Sequence, residues 1–306
     1  MAQRKQRPNY IWIAVVLVVV AAVVLLLTLG GKKENQQTAG PVTEGRAYLA
    51  SLEKKDPAAV SAVREEIFMQ RMADQKETLL QQILGGEVDP FPLFQDYAIL
   101  GDSRAVGFWY HDFLDQSRVL ADGGNTIRIL PERVAALQML NPKYIYLCYG
   151  LNDISIGYWD TPDAYAAEYM MYVANLQELF PESKIIVCSM LPAKDPAFNR
   201  SGRWRWIPDW DVVLQEVCAQ NGVLYADCDM LYNNYGYLWG ADGIHFHESI
   251  YPYWAGMLLV TGLYGGLTYE GYNMDLRSSA LAGCHCGGGI PGGALWRKHC
   301  EQRSVF

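Results

Sequence analysis

Ile99-Leu100-Gly101-Asp102-Ser103-Arg104 is an apolar run that stops on a glycine, a carboxylate and a serine, and its reading decides the fold. The run begins at Tyr97 and is apolar on successive residues to Leu100, which suits a strand buried on both faces. A helical pattern over Val106 to Leu114 follows it, so the six residues mark a strand-to-helix turn. Four more runs of the same kind lie downstream: Val119 to Ala121, Tyr144 to Tyr149, Lys184 to Cys188 and Val223 to Ala226. Between and after them the spacing predicts helices over Pro131 to Leu140, Pro162 to Leu179 with Thr161 as N-cap, Trp210 to Ala219 and Tyr251 to Leu263. Alternating buried strands and helices imply a three-layer α/β/α sandwich with a mostly parallel sheet. Ligand sites in such sheets lie at the carboxyl ends of the strands.

Upstream of this region the chain changes character twice. Asp56-Pro57 forms an N-cap and first-turn pair, and the Ala-, Glu-, Gln- and Met-rich stretch to Leu84, closed by Gly85-Gly86, predicts one long helix. Val60, Val63 and Ile67 give that helix an apolar stripe for packing on its own domain. Further upstream, Gly30 to Pro41 is small and polar, a linker, and Ile11 to Leu29 is long and apolar enough to match a hydrocarbon core of ~30 Å. Arg4, Lys5 and Arg7 before that segment, against Lys32 and Lys33 offset by Glu34 after it, put the N-terminus in the cytoplasm and the bulk of the chain outside. Tyr10 and Trp12 suit the interface. A cleaved signal peptide is the rival reading, although its apolar region usually spans only ~7 to 15 residues. The expected organisation is a cytoplasmic tail (1–10), a transmembrane signal anchor (11–30) holding the lipid bilayer, a linker and helical stalk (31–89), the α/β domain (90–275) and a Gly-rich, disordered tail (276–306).

The 306 residues carry 25 Lys and Arg against 33 Asp and Glu, and five of the bases precede the first acid, Glu34. The remaining 20 bases against 33 acids leave a body of net charge −13, unsuited to nucleic acid. Cys148, Cys188, Cys218 and Cys228 sit in apolar patterned segments as buried free thiols, so no disulfide framework is indicated. Cys284, His285, Cys286, His299 and Cys300 gather in the tail with ligands for a soft metal, but in no standard zinc spacing.

Four segments carry chemistry. Gly101-Asp102-Ser103 puts a hydroxyl at the top of the sheet and its amide at a helix N-terminus, a place for a nucleophile whose attack creates an oxyanion or, more plainly, for a helix cap. Asp122-Gly123-Gly124-Asn125-Thr126 and Gly150-Leu151-Asn152-Asp153 end the second and third strands, with glycine amides and a side-chain amide donor. Asp242-Gly243-Ile244-His245 spaces a carboxylate three residues before an imidazole, close enough to fix the tautomer of a base. A different reading has His245 and His247 ligate a metal with His111 or Asp242.

In this order the four blocks resemble the SGNH/GDSL hydrolase superfamily, over roughly residues 96 to 263. The resemblance implies a flavodoxin-like fold, a nucleophile at Ser103, a base at His245 oriented by Asp242, and oxyanion donors from the backbone of Ser103 and Gly124 and the side chain of Asn152. It implies an acyl-enzyme mechanism that needs no cofactor and no metal. Two departures stand out: Arg104 where many members have Leu, and Phe246-His247 where many have Pro after the histidine.

Trp204, Trp206 and Trp210, beside Arg200, Arg203 and Arg205, with Tyr232, Tyr235, Tyr237 and Trp239 just before the histidine block, suit either sugar rings or core packing. Together with Arg104 and Asp153, the three tryptophans are the candidate substrate-binding residues. The expected activity is removal of an acetyl or similar small acyl group from a cell-envelope or extracellular carbohydrate. Lipid or thioester hydrolysis, and a non-catalytic sugar-binding module, are the alternatives.

Overall fold

Five parallel strands form one sheet in the order β2-β1-β3-β4-β5, with β1 Tyr97–Gly101, β2 Val119–Ala121, β3 Tyr144–Cys148, β4 Lys184–Cys188 and β5 Leu224–Ala226. Successive side chains of a strand point to opposite faces, and here both faces are covered. Ala98, Leu100, Ile145, Leu147, Ile185 and Val187 belong to one core cluster, while Tyr97, Ile99, Tyr146, Cys148, Ile186 and Cys188 belong to the other. Helices α3 (Leu130–Leu140), α5 (Pro162–Leu179) and α6 (Ile207–Gln220) contribute to the first cluster. The second is closed by α1 (Pro57–Leu84), α2 (Ser103–Tyr110) and α8 (Tyr251–Tyr264). The three-layer arrangement thus follows from runs with no polar face to give to water.

This computed structural model describes residues 45–46, 57–269 and 271. The chain divides into two units, residues 1–63 and Arg64 to Phe306, and the described residues of the first are all helical. The expected anchor Ile11 to Leu29, the linker, the Asp56 cap and the Cys- and His-containing tail lie outside the described residues. Among the described residues no helix is long and apolar enough to cross a membrane.

The long helix ends as expected, but its packing face is another one. Val63 and Ile67 are about half exposed, and Phe68, Met72 and Ile83 are buried instead. Ile83 reaches Gly256 of α8, where a Cβ would lie 2.8 Å from its Cγ2. The core contacts of the helix come from its last turns, at Leu79, Leu80, Ile83 and Leu84, whereas the expected stripe stops at Ile67.

Helix boundaries differ where caps decide them. α2 starts at Ser103, not Val106, because the Asp102 carboxylate accepts from the Arg104 amide at 2.9 Å, and the chain leaves it at His111 and Asp112 (φ 59°). Pro208 in its first turn opens α6 at Ile207, three residues before the expected start. Two short helices were beyond the spacing patterns, α4 (Leu151–Ile156) and α7 (Asp229–Tyr235).

Candidate active site

The turn after β1 is locked on every side. Ser103 takes the first position of α2, where its amide has no intrahelical acceptor. Arg104 beside it is buried: Nε donates to the Ile244 carbonyl at 2.8 Å, Nη2 to Pro192 at 3.2 Å, and Nη1 to Leu191. Its guanidinium lies 4.9 Å from the centre of the Phe246 ring. Burial lowers the Arg104 pKa to about 10 against the pull of Asp102, and burial raises Asp102 to about 6 against the pull of Arg104.

The loop before α8 carries the other partners. Trp239 and Phe246 form an isolated antiparallel bridge, and Gly240 N donates to His245 O at 2.7 Å, so the residues between them turn tightly. Within the turn Asp242 Oδ1 accepts from the Ile244 and His245 amides at 2.9 and 3.0 Å. Its Oδ2 meets His245 Nδ1 at 2.6 Å, and His245 Nε2 meets Ser103 Oγ at 3.0 Å. Burial pushes the Asp242 pKa up, but the Ile244 amide and the His245 ring outweigh it and lower it to about 2. An ionised carboxylate only accepts, so Nδ1 carries the proton and Nε2 is left to take one from Ser103. Both side chains are open to solvent, 51% for His245 and 37% for Asp242.

The glycine and asparagine blocks meet beside this chain of bonds. Asn125 N donates to Asp122 O at 3.3 Å, closing the turn that exposes Gly124, and Asn152 Nδ2 donates to Asn125 O at 3.0 Å. Asn152 keeps its second amide hydrogen for another acceptor. Gly150, at φ 133°, lets Met190 pack where a Cβ would lie 2.3 Å from Met190 Cγ. Met190 is itself fixed by the buried Asp211, which accepts from its amide at 2.7 Å and from Tyr225 Oη at 2.7 Å. Burial raises Asp211 to about 7, against both bonds.

The substrate-binding expectations need correction at four positions. Asp153 is buried and accepts from Ile127 N at 2.9 Å and Gly150 N at 3.0 Å, joining the two blocks; burial raises it to about 7. Arg104 is consumed by backbone carbonyls. Trp204 and Trp210 are buried, Trp204 Nε1 donating to Leu151 O at 2.7 Å, so neither offers a face to a ligand. Trp206 does, at 44% exposure. Of the tyrosine group, Tyr235 stacks on Tyr253 at 4.1 Å, Tyr232 packs on Trp239 at 5.7 Å, and Tyr237 is exposed. The metal reading fails as well: His247 Nδ1 caps the turn at Ser249 N, 3.2 Å away, and among the described residues no three ligating side chains converge. Cys148, Cys188, Cys218 and Cys228 are free and buried. The bracing roles of Arg104, Asp153 and Asp211 had no local sequence signal beyond a charged residue inside an apolar stretch.

The profile described as the GDSL-like Lipase/Acylhydrolase family matches residues 99–251. No curated protein matches the chain. Among solved structures, a protein from Parabacteroides merdae described as a GDSL-like lipase is 16% identical, with 56% of this chain and 97% of that one covered at a TM-score of 0.45. A lipase/acylhydrolase from Enterococcus faecalis is 20% identical, with 56% and 96% covered at 0.43. An acetylxylan esterase from Geobacillus stearothermophilus is 16% identical, with 55% and 93% covered at 0.38.

Proposed function

The chain belongs to the GDSL-like lipase/acylhydrolase family and is a carboxylic ester hydrolase, and from that premise we propose that it is a serine esterase acting through Ser103, His245 and Asp242. One observation carries the reading: the unbroken chain from Ser103 Oγ through His245 to Asp242, at 3.0 and 2.6 Å. His245 Nε2 takes the Ser103 proton as Oγ attacks the ester carbonyl, and returns it to the departing alcohol. Water, deprotonated by the same nitrogen, then releases the acid from the acyl-enzyme. The negative oxygen of each tetrahedral intermediate is met by the amides of Ser103 and Gly124 and by Asn152 Nδ2, each such donor lowering the barrier by ~3 kcal/mol.

The substrate in this reading is a small acyl ester, acetyl first, on a cell-envelope or extracellular carbohydrate. Support comes from the openness of His245 and Asp242 to solvent and from Trp206, an exposed ring on the segment beside the asparagine block. A cavity of about 20 Å³ lined by Asp102, Arg104 and Ser189, next to the turn that carries Ser103, has room for a water. Attachment to a bilayer through Ile11 to Leu29, with the N-terminus inside and the domain outside, is part of the proposal and rests on the apolar run and its flanking charges.

The test is labelling of Ser103 by a fluorophosphonate, read by peptide mass, alongside turnover of 4-nitrophenyl acetate, a long-chain 4-nitrophenyl ester and acetylated polysaccharide. Labelling with turnover of the two acetates is expected. Preference for the long-chain ester would move the substrate to lipids or thioesters. A folded protein that neither labels nor turns over would be a sugar-binding module. Protease added to intact cells should remove the domain and spare the first ten residues.

A further inference from the structure

We propose that Arg203 forms a subsite for an anionic group, a carboxylate or a phosphate, on the alcohol portion of the ester substrate. The proposal rests on the esterase reading above and names the class of molecule that the esterase takes: acylated acidic sugars.

Arg203 belongs to the 3-10 segment Gly202–Trp206, which is pinned to the first turn of α4 by the bond from Trp204 Nε1 to Leu151 O at 2.7 Å. Leu151 is the neighbour of Asn152, so the segment stands beside the oxyanion block. The guanidinium is held by two residues. Trp206 presents its ring centre 5.1 Å from Cζ. Gly157, at φ 77°, lies against it too, where a Cβ would come within 2.7 Å of Cζ and Nη1, so only a residue without one lets the arginine lie there.

Held in this way, Arg203 Nη1 is buried and meets no acceptor. A buried N–H of a charged group without a partner carries its full desolvation penalty. Three other arginines have partners: Arg128 forms two bonds to Glu168 at 2.7 and 2.8 Å, Arg205 lies 3.9 Å from Asp195, and Arg104 is spent on three carbonyls. Arg133 Nε also lacks an acceptor, but Asp122 neutralises that guanidinium. At Arg203 no carboxylate balances the charge among the described residues, and with Nη1 enclosed it is the remaining donors of this half-buried side chain that an anionic group would meet. A planar fork of donors fits two oxygens of a carboxylate or phosphate, and the exposed Trp206 ring offers an adjoining face for the sugar that bears it. The acidic body supplies no general attraction for anions, so a preference for a charged ester that is lost in R203Q reports on this subsite.

The experiment uses the full chain in detergent with methyl O-acetyl-glucuronide, the uncharged methyl O-acetyl-glucoside, O-acetyl-glucose 6-phosphate and 4-nitrophenyl acetate. The wild type should take at least one charged ester with kcat/KM about tenfold or more above the glucoside, and which one identifies carboxylate or phosphate. R203Q should bring that ratio towards one by raising KM for the charged ester, and R203K, which keeps the charge without the fork, should fall between. Equal kcat/KM for charged and uncharged sugars in a wild type that hydrolyses 4-nitrophenyl acetate would overturn the subsite and leave the esterase standing. Loss of the same factor on charged and uncharged esters in R203Q would make Arg203 a packing residue and overturn it too. Failure of the wild type on all four esters would instead strike the esterase reading itself.

Discussion

The serine turn and the histidine loop meet through the Ser103–His245 contact and the bond from Arg104 Nε to the Ile244 carbonyl, yet they are built in opposite ways. Around Ser103 the charged groups are buried and committed: Asp102 caps its helix, and Arg104 is bonded to three carbonyls. The Asp242 and His245 side chains stand in solvent, held by local amides and by each other. One side of the site is fixed by the core and the other by a short turn. Damage on the first side should therefore reach stability, and damage on the second should stay with chemistry.

The sharpest way to break this contrast is at the Ser103–His245 contact. S103A and H245A should each lower kcat/KM by ~10³ or more, and the double variant should be scarcely worse, because the two act as a unit. Additive losses would mean that the 3.0 Å contact does not carry the proton. N152A should follow, with kcat reduced ~10² to 10³-fold in a protein of unchanged melting temperature. R104M tests the buried side: it leaves the Ile244, Leu191 and Pro192 carbonyls without their donor, and urea unfolding should show a loss of about 2 to 4 kcal/mol, accompanied by reduced kcat. A stable R104M with full activity would remove Arg104 from the frame.

The smallest effect is a slope. Asp102, Asp153 and Asp211 have pKa values raised by burial from 3.8 to about 6, about 7 and about 7. Between those limits the folded state binds more protons than the unfolded chain, so these groups make stability fall as pH rises through the window. In D211N the amide can still accept from Met190 N and donate to Tyr225 Oη, and the fall in urea midpoint between about pH 4 and about pH 7 should become shallower. An unchanged slope would show that Asp211 titrates at its ordinary value.

How much of this was legible in the sequence follows the same division. The strands were, because residues buried on both faces leave an unbroken apolar run, and the four blocks were, because each sits within a few residues of a strand end or a turn. Asp242 and His245 are three apart and read locally. Trp204 and Trp210 were misread, because Arg-rich flanks suggest a surface while the 3-10 turn at Gly202–Trp206 sends Trp204 inward to Leu151. Arg104 gave no sign of its task, since its acceptors lie 87, 88 and 140 residues away. Long-range bonds to backbone carbonyls leave no pattern, because any residue supplies a carbonyl.

Those separations also order events during synthesis. A chain made from its N-terminus presents Ser103 and Arg104 long before Ile244, so a nascent domain holds Ser103 beside a cation whose last acceptor has not yet been made. The clamp closes, and His245 arrives, only when the final loop has been translated and folded back on the sheet. In the proposed mechanism a fragment that ends before His245 therefore carries a serine without its base.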